Sequence, residues 1–276
     1  MRRRVSDANH DANYDAMKLK LGPKIGTAAW TIAKDSKDEF PAEGSHLQRY
    51  SQVLTGVEIN SSFYKDHQAK SYARWAAETP PGFEFSVKLQ KRFTHDQRLV
   101  INEDDLHEWY EAVSQLGEKL GAILVQLPPS LLFKDREAER FFRLLREVYD
   151  GVIAFEPRHT TWLKNEAIQL LADYRITKVE ADPELTPIEF EDLPDTQARY
   201  LRLHGSPEIY KSAYTDEFLE STALDLQLSK VENTWVIFDN TTFGHATEDA
   251  LKLKSSIDAQ ALQSKRRGQS ASPYVR

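Results

Sequence analysis

The sequence contains no cysteine, which excludes disulfide bonds, thiolate catalysis and cysteine-ligated metal centres. No apolar run approaches the ~18 residues that a membrane-spanning helix needs, so no membrane partner is expected. Residues 1–20 are polar and lack the apolar stretch of a secretory signal, so export is not expected and a cytoplasmic setting is. An excess of positive charge is missing as well: 36 Lys and Arg stand against 43 Asp and Glu, a formal net charge of −7. A general nucleic-acid coat needs the opposite sign, and nucleic acid is not expected as a partner. No glycine-rich phosphate loop follows the first β-prone run, where Gly26-Thr27-Ala28-Ala29-Trp30 stands in place of GxGxxG. Nothing repeats at a fixed period and no low-complexity linker divides the chain, so one domain is expected. No signal of oligomeric state is legible.

What is present is alternation. Short β-rich runs lie at Lys24–Ala29, Gly56–Asn60, Glu84–Leu89, Ala122–Leu127, Val152–Glu156, Thr177–Ala181, Tyr200–His204 and Trp235–Asp239. Segments of helical periodicity separate them: Ser45–Leu54, Lys70–Glu78, Asp104–Lys119, Asp135–Tyr149, Thr161–Tyr174 and Thr215–Lys230, with His245–Ile257 last. In the fourth, Ala138, Phe141, Phe142, Leu145 and Val148 make one apolar stripe. Strand–helix alternation is the signature of a parallel sheet. The pattern predicts an α/β fold, a single-domain (β/α)8 TIM-like barrel of the usual size of roughly 250 residues, in preference to an open doubly wound sheet. Residues 183–198 hold three prolines and five acidic residues, so an irregular crossover is expected between strands six and seven. The barrel is placed at 21–260, with a polar tail at 1–20 and a basic tail at 261–276. The basic clusters at the ends, Arg2–Arg4 and Lys265, Arg266 and Arg267, are read as solvated.

The informative feature is what ends each strand, because a parallel barrel gathers those ends on one rim where active sites are built. Residues two apart on a strand share a face. That spacing pairs Glu58 with Asn60 on the second strand, Glu156 with Arg158 on the fifth, and Arg202 with His204 on the seventh. Other strands add Lys88, Gln126, Asp182, and Asp239 with Asn240. Beyond the strand ends, His95, Trp30, Trp162, Tyr210 and Tyr214 supply aromatic walls. Any single pair reads equally well as a structural ion pair. Polar groups converging from seven strands point instead to a ligand site.

The same residues carry a resemblance. Gly26-Thr27, Glu58-x-Asn60-x-x-Phe63-Tyr64, Phe85-x-x-Lys88, Thr94-His95, Gln126-Leu127-Pro128-Pro129, Glu156-x-Arg158-His159-x-x-Trp162, Arg202-x-His204-Gly205 and Phe238-Asp239-Asn240 resemble the DUF72, or YecE-like, family over residues 22–258. The resemblance implies a TIM-barrel fold and this pocket, but no established reaction. The family commonly has Gly-Thr-Ser-Gly-Trp where this chain has Ala28 and Ala29, Phe-Asn-Asn where it has Asp239, and His-Gly-Arg where it has Ser206. The added carboxylate and missing arginine make the pocket more negative than the family pattern.

Three readings of function follow. In the first, an enzyme without metal or cofactor acts on a small polar or anionic metabolite. Glu58 or Glu156 is then the acid/base, with His204 and Asp239 beside them, and Lys88, Arg158 and Arg202 hold the anion. In the second, Glu156, Asp182, His204 and Asp239 ligate a divalent metal, as in sugar isomerases or endonucleases, although Arg158 and Arg202 would repel the cation. The third is a non-catalytic module that binds a small ligand or nucleic acid through the same pocket or the basic tails.

Overall fold

The computed structural model describes residues 22–186 and 198–270. The N-terminal tail, much of the expected crossover and the last six residues lie outside the described residues. Among the described residues, nine short parallel strands line the interior: β1 (Lys24–Thr27), β2 (Gly56–Ile59), β3 (Glu84–Lys88), β4 (Leu120–Gln126), β5 (Val152–Glu156), β6 (Thr177–Lys178), β7 (Glu180–Asp182), β8 (Ala198–Leu203) and β9 (Asn233–Phe238). Helices flank them: α1 (His46–Tyr50), α2 (Ala69–Glu78), α3 (Glu103–Val113), α4 (Asp135–Val148), α5 (Asn165–Asp173), α6 (Asp216–Leu228) and α7 (His245–Ser270). None is long and apolar enough to cross a membrane, among the described residues.

The strands form two sheets, β2-β3-β4-β5-β6 and β1-β9-β8-β7. β6 and β7 are one strand position broken at Val179, whose N–H donates to Phe155 O at 2.8 Å. Eight strand positions therefore stand where eight were expected, and the chain itself carries the wall across this first seam. The second seam, between β1 and β2, has no hydrogen-bond ladder. Here the Tyr50 hydroxyl of α1 accepts from Thr27 N at 2.9 Å and donates to Gly56 O at 3.2 Å, while Thr55 N donates to Ile25 O at 3.2 Å. Gly26 is required at this seam, because a Cβ there would overlap the Gly56 carbonyl.

Inside the ring, small residues make room for large ones. Gly121, Ala122 and Ala154 face the interior with Trp235 and Tyr200, whose rings stack at 6.0 Å. These two aromatics plug the barrel below the mouth. Outside, the α4 stripe packs as its periodicity predicts, with Ala138, Phe141, Phe142 and Leu145 buried.

Several helix boundaries differ from the periodicity. The expected helix Asp104–Lys119 ends at Val113 and continues as a 3-10 turn, which Gly117 interrupts at φ +57°. The segment expected from Thr161 begins as a 3-10 turn, Thr160–Leu163, and becomes α-helical only at Asn165. α7 runs on to Ser270, taking in most of the segment read as a basic tail.

Ala29 has φ +135°, a region that residues with a Cβ rarely adopt. This is the position where the family pattern carries glycine. Ala29→Gly is expected to relieve about 1 kcal/mol of backbone strain and raise the melting temperature. Thermal unfolding of the variant checks this; an unchanged or lower midpoint would contradict it.

Candidate functional site at the barrel mouth

Because alternate residues face inward, β8 stacks Tyr200 and Arg202 in successive layers, and His204, the residue after its end, continues them toward the mouth. Arg202 is the hub. Its Nε and Nη2 reach Glu58 Oε2 and Oε1 at 2.9 and 2.8 Å, Nη1 reaches Glu156 Oε2 at 3.1 Å, and Nη2 also lies 3.0 Å from Asp239 Oδ2. Both Arg202 and Glu58 are 0% exposed. The second Glu58 oxygen also accepts from Tyr200 at 3.1 Å, and Tyr200 contacts Ser86 Oγ at 2.8 Å. Glu58, expected as an acid/base, is thus sealed under the mouth with both oxygens engaged and no path to a substrate. Arg202, expected to hold an anion, has every nitrogen committed to a carboxylate of the chain.

One layer up, His204 bridges two carboxylates. Nδ1 lies 3.1 Å from Asp239 Oδ2 and Nε2 lies 3.3 Å from Glu156 Oε1. Both ring nitrogens must donate to satisfy this arrangement, so the ring is an imidazolium. Burial alone would lower the His204 pKa, but the hydrogen bonds to Asp239 and Glu156 outweigh it and raise it. Burial would raise the Glu156 carboxyl, yet Arg202, His204 and Arg158 together hold it well below the usual range. Asp239 is likewise lowered, by Arg202 and His204 against its burial.

The sign of the resulting pH dependence follows from linkage. A raised His204 pKa adds stability that is complete below its unfolded value, about 6.5, and is lost as pH rises through the folded value. The lowered Glu156 and Asp239 add stability that is present above about pH 4 and is lost as pH falls through their folded values. Denaturant midpoints followed across pH should therefore fall on both sides of a plateau, and His204→Asn should flatten the alkaline limb and also shrink the acid limb, because the ring helps to hold Glu156 and Asp239 low. An alkaline limb unchanged in that variant would show that His204 is not the imidazolium described.

Arg158 stands at the edge of the pocket. Its Nε and Nη2 contact Glu156 Oε1 at 3.0 and 2.9 Å, and Nη2 donates to the Tyr210 hydroxyl at 3.4 Å. Nη1 makes no hydrogen bond among the described residues, and the side chain is 19% exposed. Tyr210 sits edge-on to the His204 ring at 5.5 Å. Its backbone, at φ +68°, lets its N–H donate to His204 O at 2.5 Å. A pocket of about 170 Å³ opens here, floored by Glu156, Arg158 and His204 and walled by Pro157, Leu185, Ile209 and Tyr210. Glu184, on the same wall, is paired with Lys178 at 2.6 Å.

Lys88 completes the cluster from β3. It is 5% exposed, its ammonium lies 4.4 Å from the centre of the Phe63 ring, and it makes no hydrogen bond among the described residues. Burial first, and the Arg202 charge second, lower its pKa to about 8. His95 is half-buried with its ring 4.9 Å from Phe63 and its Nδ1 2.9 Å from Thr94 Oγ1. Its pKa is lowered by burial and then by the neighbouring Lys88 and Arg158 charges.

Gln126 joins the cluster by donating to Glu156 Oε2 at 2.9 Å. Four other expected residues serve the scaffold. Trp162 is fully buried behind β5, with its ring 4.8 Å from Phe155 and its N–H on Leu131 O at 3.0 Å. Tyr214 donates to Asp182 Oδ2 at 2.8 Å and accepts from Gly205 N at 2.8 Å, so these two expected ligand residues instead tie the loop after β8 to the end of β7. Asn240 is buried and donates to Ser212 O at 2.9 Å and to Asp249 Oδ2 at 2.7 Å, anchoring α7. Trp30 packs edge-on to Trp75 at 5.1 Å and does not line the pocket. Asn60 opens the turn after β2 with a buried Oδ1 that has no hydrogen-bond partner among the described residues. Tyr200 and Ser86 were missed, although each lies two residues before a named site residue and the same period places it on the same face. Leu185 and Ile209 carry no comparable signal.

Comparison with known proteins places this geometry. A family model described as "Protein of unknown function DUF72" matches residues 24–272. The UPF0759 protein YunF of Bacillus subtilis is 28% identical over 144 residues, which are 50% of this chain and 51% of that protein; the chain spans about half the length of this curated relative. A crystal structure of a DUF72 family protein from Thermotoga maritima superposes with a TM-score of 0.69 at 27% identity, covering 86% of this chain and 100% of that one. A second, from Enterococcus faecalis, gives 0.69 at 19% identity over 85% and 95% of the two chains, a likeness of fold.

Proposed function

The chain belongs to the DUF72 family of proteins of unknown function, and from that premise we propose that its barrel mouth binds a small anionic metabolite and supplies it with a proton from His204. The carrying observation is the charge balance of the cluster. Three carboxylates, Glu58, Glu156 and Asp239, face four cationic groups, Arg202, Arg158, His204 and Lys88. Arg202 is consumed internally. The surplus positive charge therefore lies on Lys88, buried without a hydrogen bond among the described residues, and on Arg158 at the pocket edge, where a ligand carboxylate or phosphate would meet it. Pockets for drug-sized ligands occupy about 300–1,000 Å³. One of about 170 Å³ suits a smaller molecule, with its apolar side against Leu185 and Ile209.

In this reading Arg158 orients the anion through Nη1, a role suited to guanidinium because its planar donors match carboxylate geometry. His204 is the general acid. Its Nε2 hydrogen bond to Glu156, at 3.3 Å, is the weaker of its two and the one a ligand oxygen would displace. Asp239 holds the ring by Nδ1, and Glu156 keeps the imidazolium charged until the proton moves. Glu156 itself, held ionised by its cationic neighbours, is a poor base. A cytoplasmic setting, with intracellular metabolites as ligands, belongs to the same proposal.

The donor set disfavours the metal reading, since both Glu156 oxygens already accept from cations. Among the described residues no group of three or more His, Asp and Glu is placed to hold a metal ion. Calorimetric titration of the purified protein with pyruvate, inorganic phosphate and manganese separates the readings. Saturable binding of either anion supports the proposal. Stoichiometric manganese binding lost in Glu156→Gln, without anion binding, would replace it.

A further inference from the structure

Lys88 is a buried cation without a hydrogen bond among the described residues, in a cluster where the carboxylates are engaged by other groups. Arg202 and Tyr200 take Glu58, Arg202, Arg158, His204 and Gln126 take Glu156, and Arg202 and His204 take Asp239. Burying a charge unpaired is costly, and Phe63 offers it only a ring face at 4.4 Å. Desolvation beside a second cation is how a lysine amine is made nucleophilic at neutral pH, and the Lys88 pKa of about 8 agrees with that environment.

We propose that Lys88 is the amine nucleophile of this site and condenses with the carbonyl of a small oxo acid whose carboxylate is held by Arg158. This rests on the reading of the mouth as an anion site. The neutral amine's lone pair forms the new C–N bond as the carbonyl π pair moves to oxygen. Both N–H protons leave with that oxygen as water, and the resulting imine takes up one proton to become an iminium. No oxidant or cofactor is consumed. His95, whose ring packs 4.9 Å from the same Phe63 ring that Lys88 faces, is the neighbour suited to relaying protons in this step.

The test is reductive trapping. The full chain is incubated at neutral pH with pyruvate and sodium cyanoborohydride, and the modified residue is mapped by peptide mass spectrometry. The expected result is one reduced adduct per chain, on Lys88 in preference to the exposed lysines. It should be absent in Lys88→Arg, which keeps the charge and whose fold is checked by its melting curve. Adducts scattered over surface lysines with Lys88 unmodified, or no adduct at all, would overturn the inference. Calorimetric binding of pyruvate without a Lys88 adduct would overturn the imine and leave the anion pocket standing. A Lys88 adduct with neutral glycolaldehyde, but no pyruvate binding, would keep the nucleophile and overturn the anionic reading beneath it.

Discussion

Arg202→Ala should lower stability by about 3–5 kcal/mol, the usual cost of removing one partner from a buried ion pair. The loss falls at the upper end because one guanidinium serves three carboxylates. Without it Glu58, fully buried, keeps only the Tyr200 hydroxyl at 3.1 Å, and Glu156 and Asp239 lose their innermost partner. Urea unfolding should show a midpoint shifted well down with the slope preserved. The double variant Arg202→Met with Glu58→Gln should recover much of the loss, because the stranded charge is removed along with its partner. A loss below about 1 kcal/mol in Arg202→Ala, the scale of an exposed pair, would contradict the hub.

Arg158→Gln should behave in the opposite way. The side chain lies at the pocket edge, and Glu156 retains Arg202, Gln126 and His204 after the substitution. Stability is expected to change by no more than about 1 kcal/mol. Affinity for pyruvate or phosphate should fall at least about tenfold to a hundredfold, the 1.5–3 kcal/mol that a charge-assisted hydrogen bond is worth. Calorimetry beside a melting curve reads both quantities. Unchanged affinity would remove Arg158 from the site, and a large drop in stability would assign it to the scaffold with Arg202.

These opposite expectations for two arginines show where the sequence was legible and where it was not. Alternation along β8 placed Arg202 and His204 on one inward face, and the same period paired Glu156 with Arg158. Strand number, order and the shared rim were readable for the same reason: apolar runs of strand length alternate with helical stripes such as that of α4. Depth was not readable. Period two says which face a side chain takes but not how far below the rim it lies. Arg202 is one layer deeper than His204, and that single step turns an expected anion contact into a structural hub and seals Glu58 beneath it. Residue type was equally silent about Tyr214, Asp182 and Asn240, whose polar atoms tie loops to strand ends as readily as they would bind a ligand. The split of the sixth strand at Val179 and the Tyr50 bridge between β1 and β2 depend on packing between distant segments, which no local pattern encodes. The Ala29 departure was visible in the sequence, but its backbone cost was visible only in the fold.

The central claim, that an imidazolium at the barrel mouth meets a small bound anion, is tested most directly by the ring nitrogens of His204. With 15N-labelled histidine, the His204 resonances should report a doubly protonated ring at neutral pH. They should shift saturably on addition of pyruvate or phosphate in the wild-type protein and stay fixed in Arg158→Gln. A neutral His204 ring, or resonances that neither anion moves, would contradict the account.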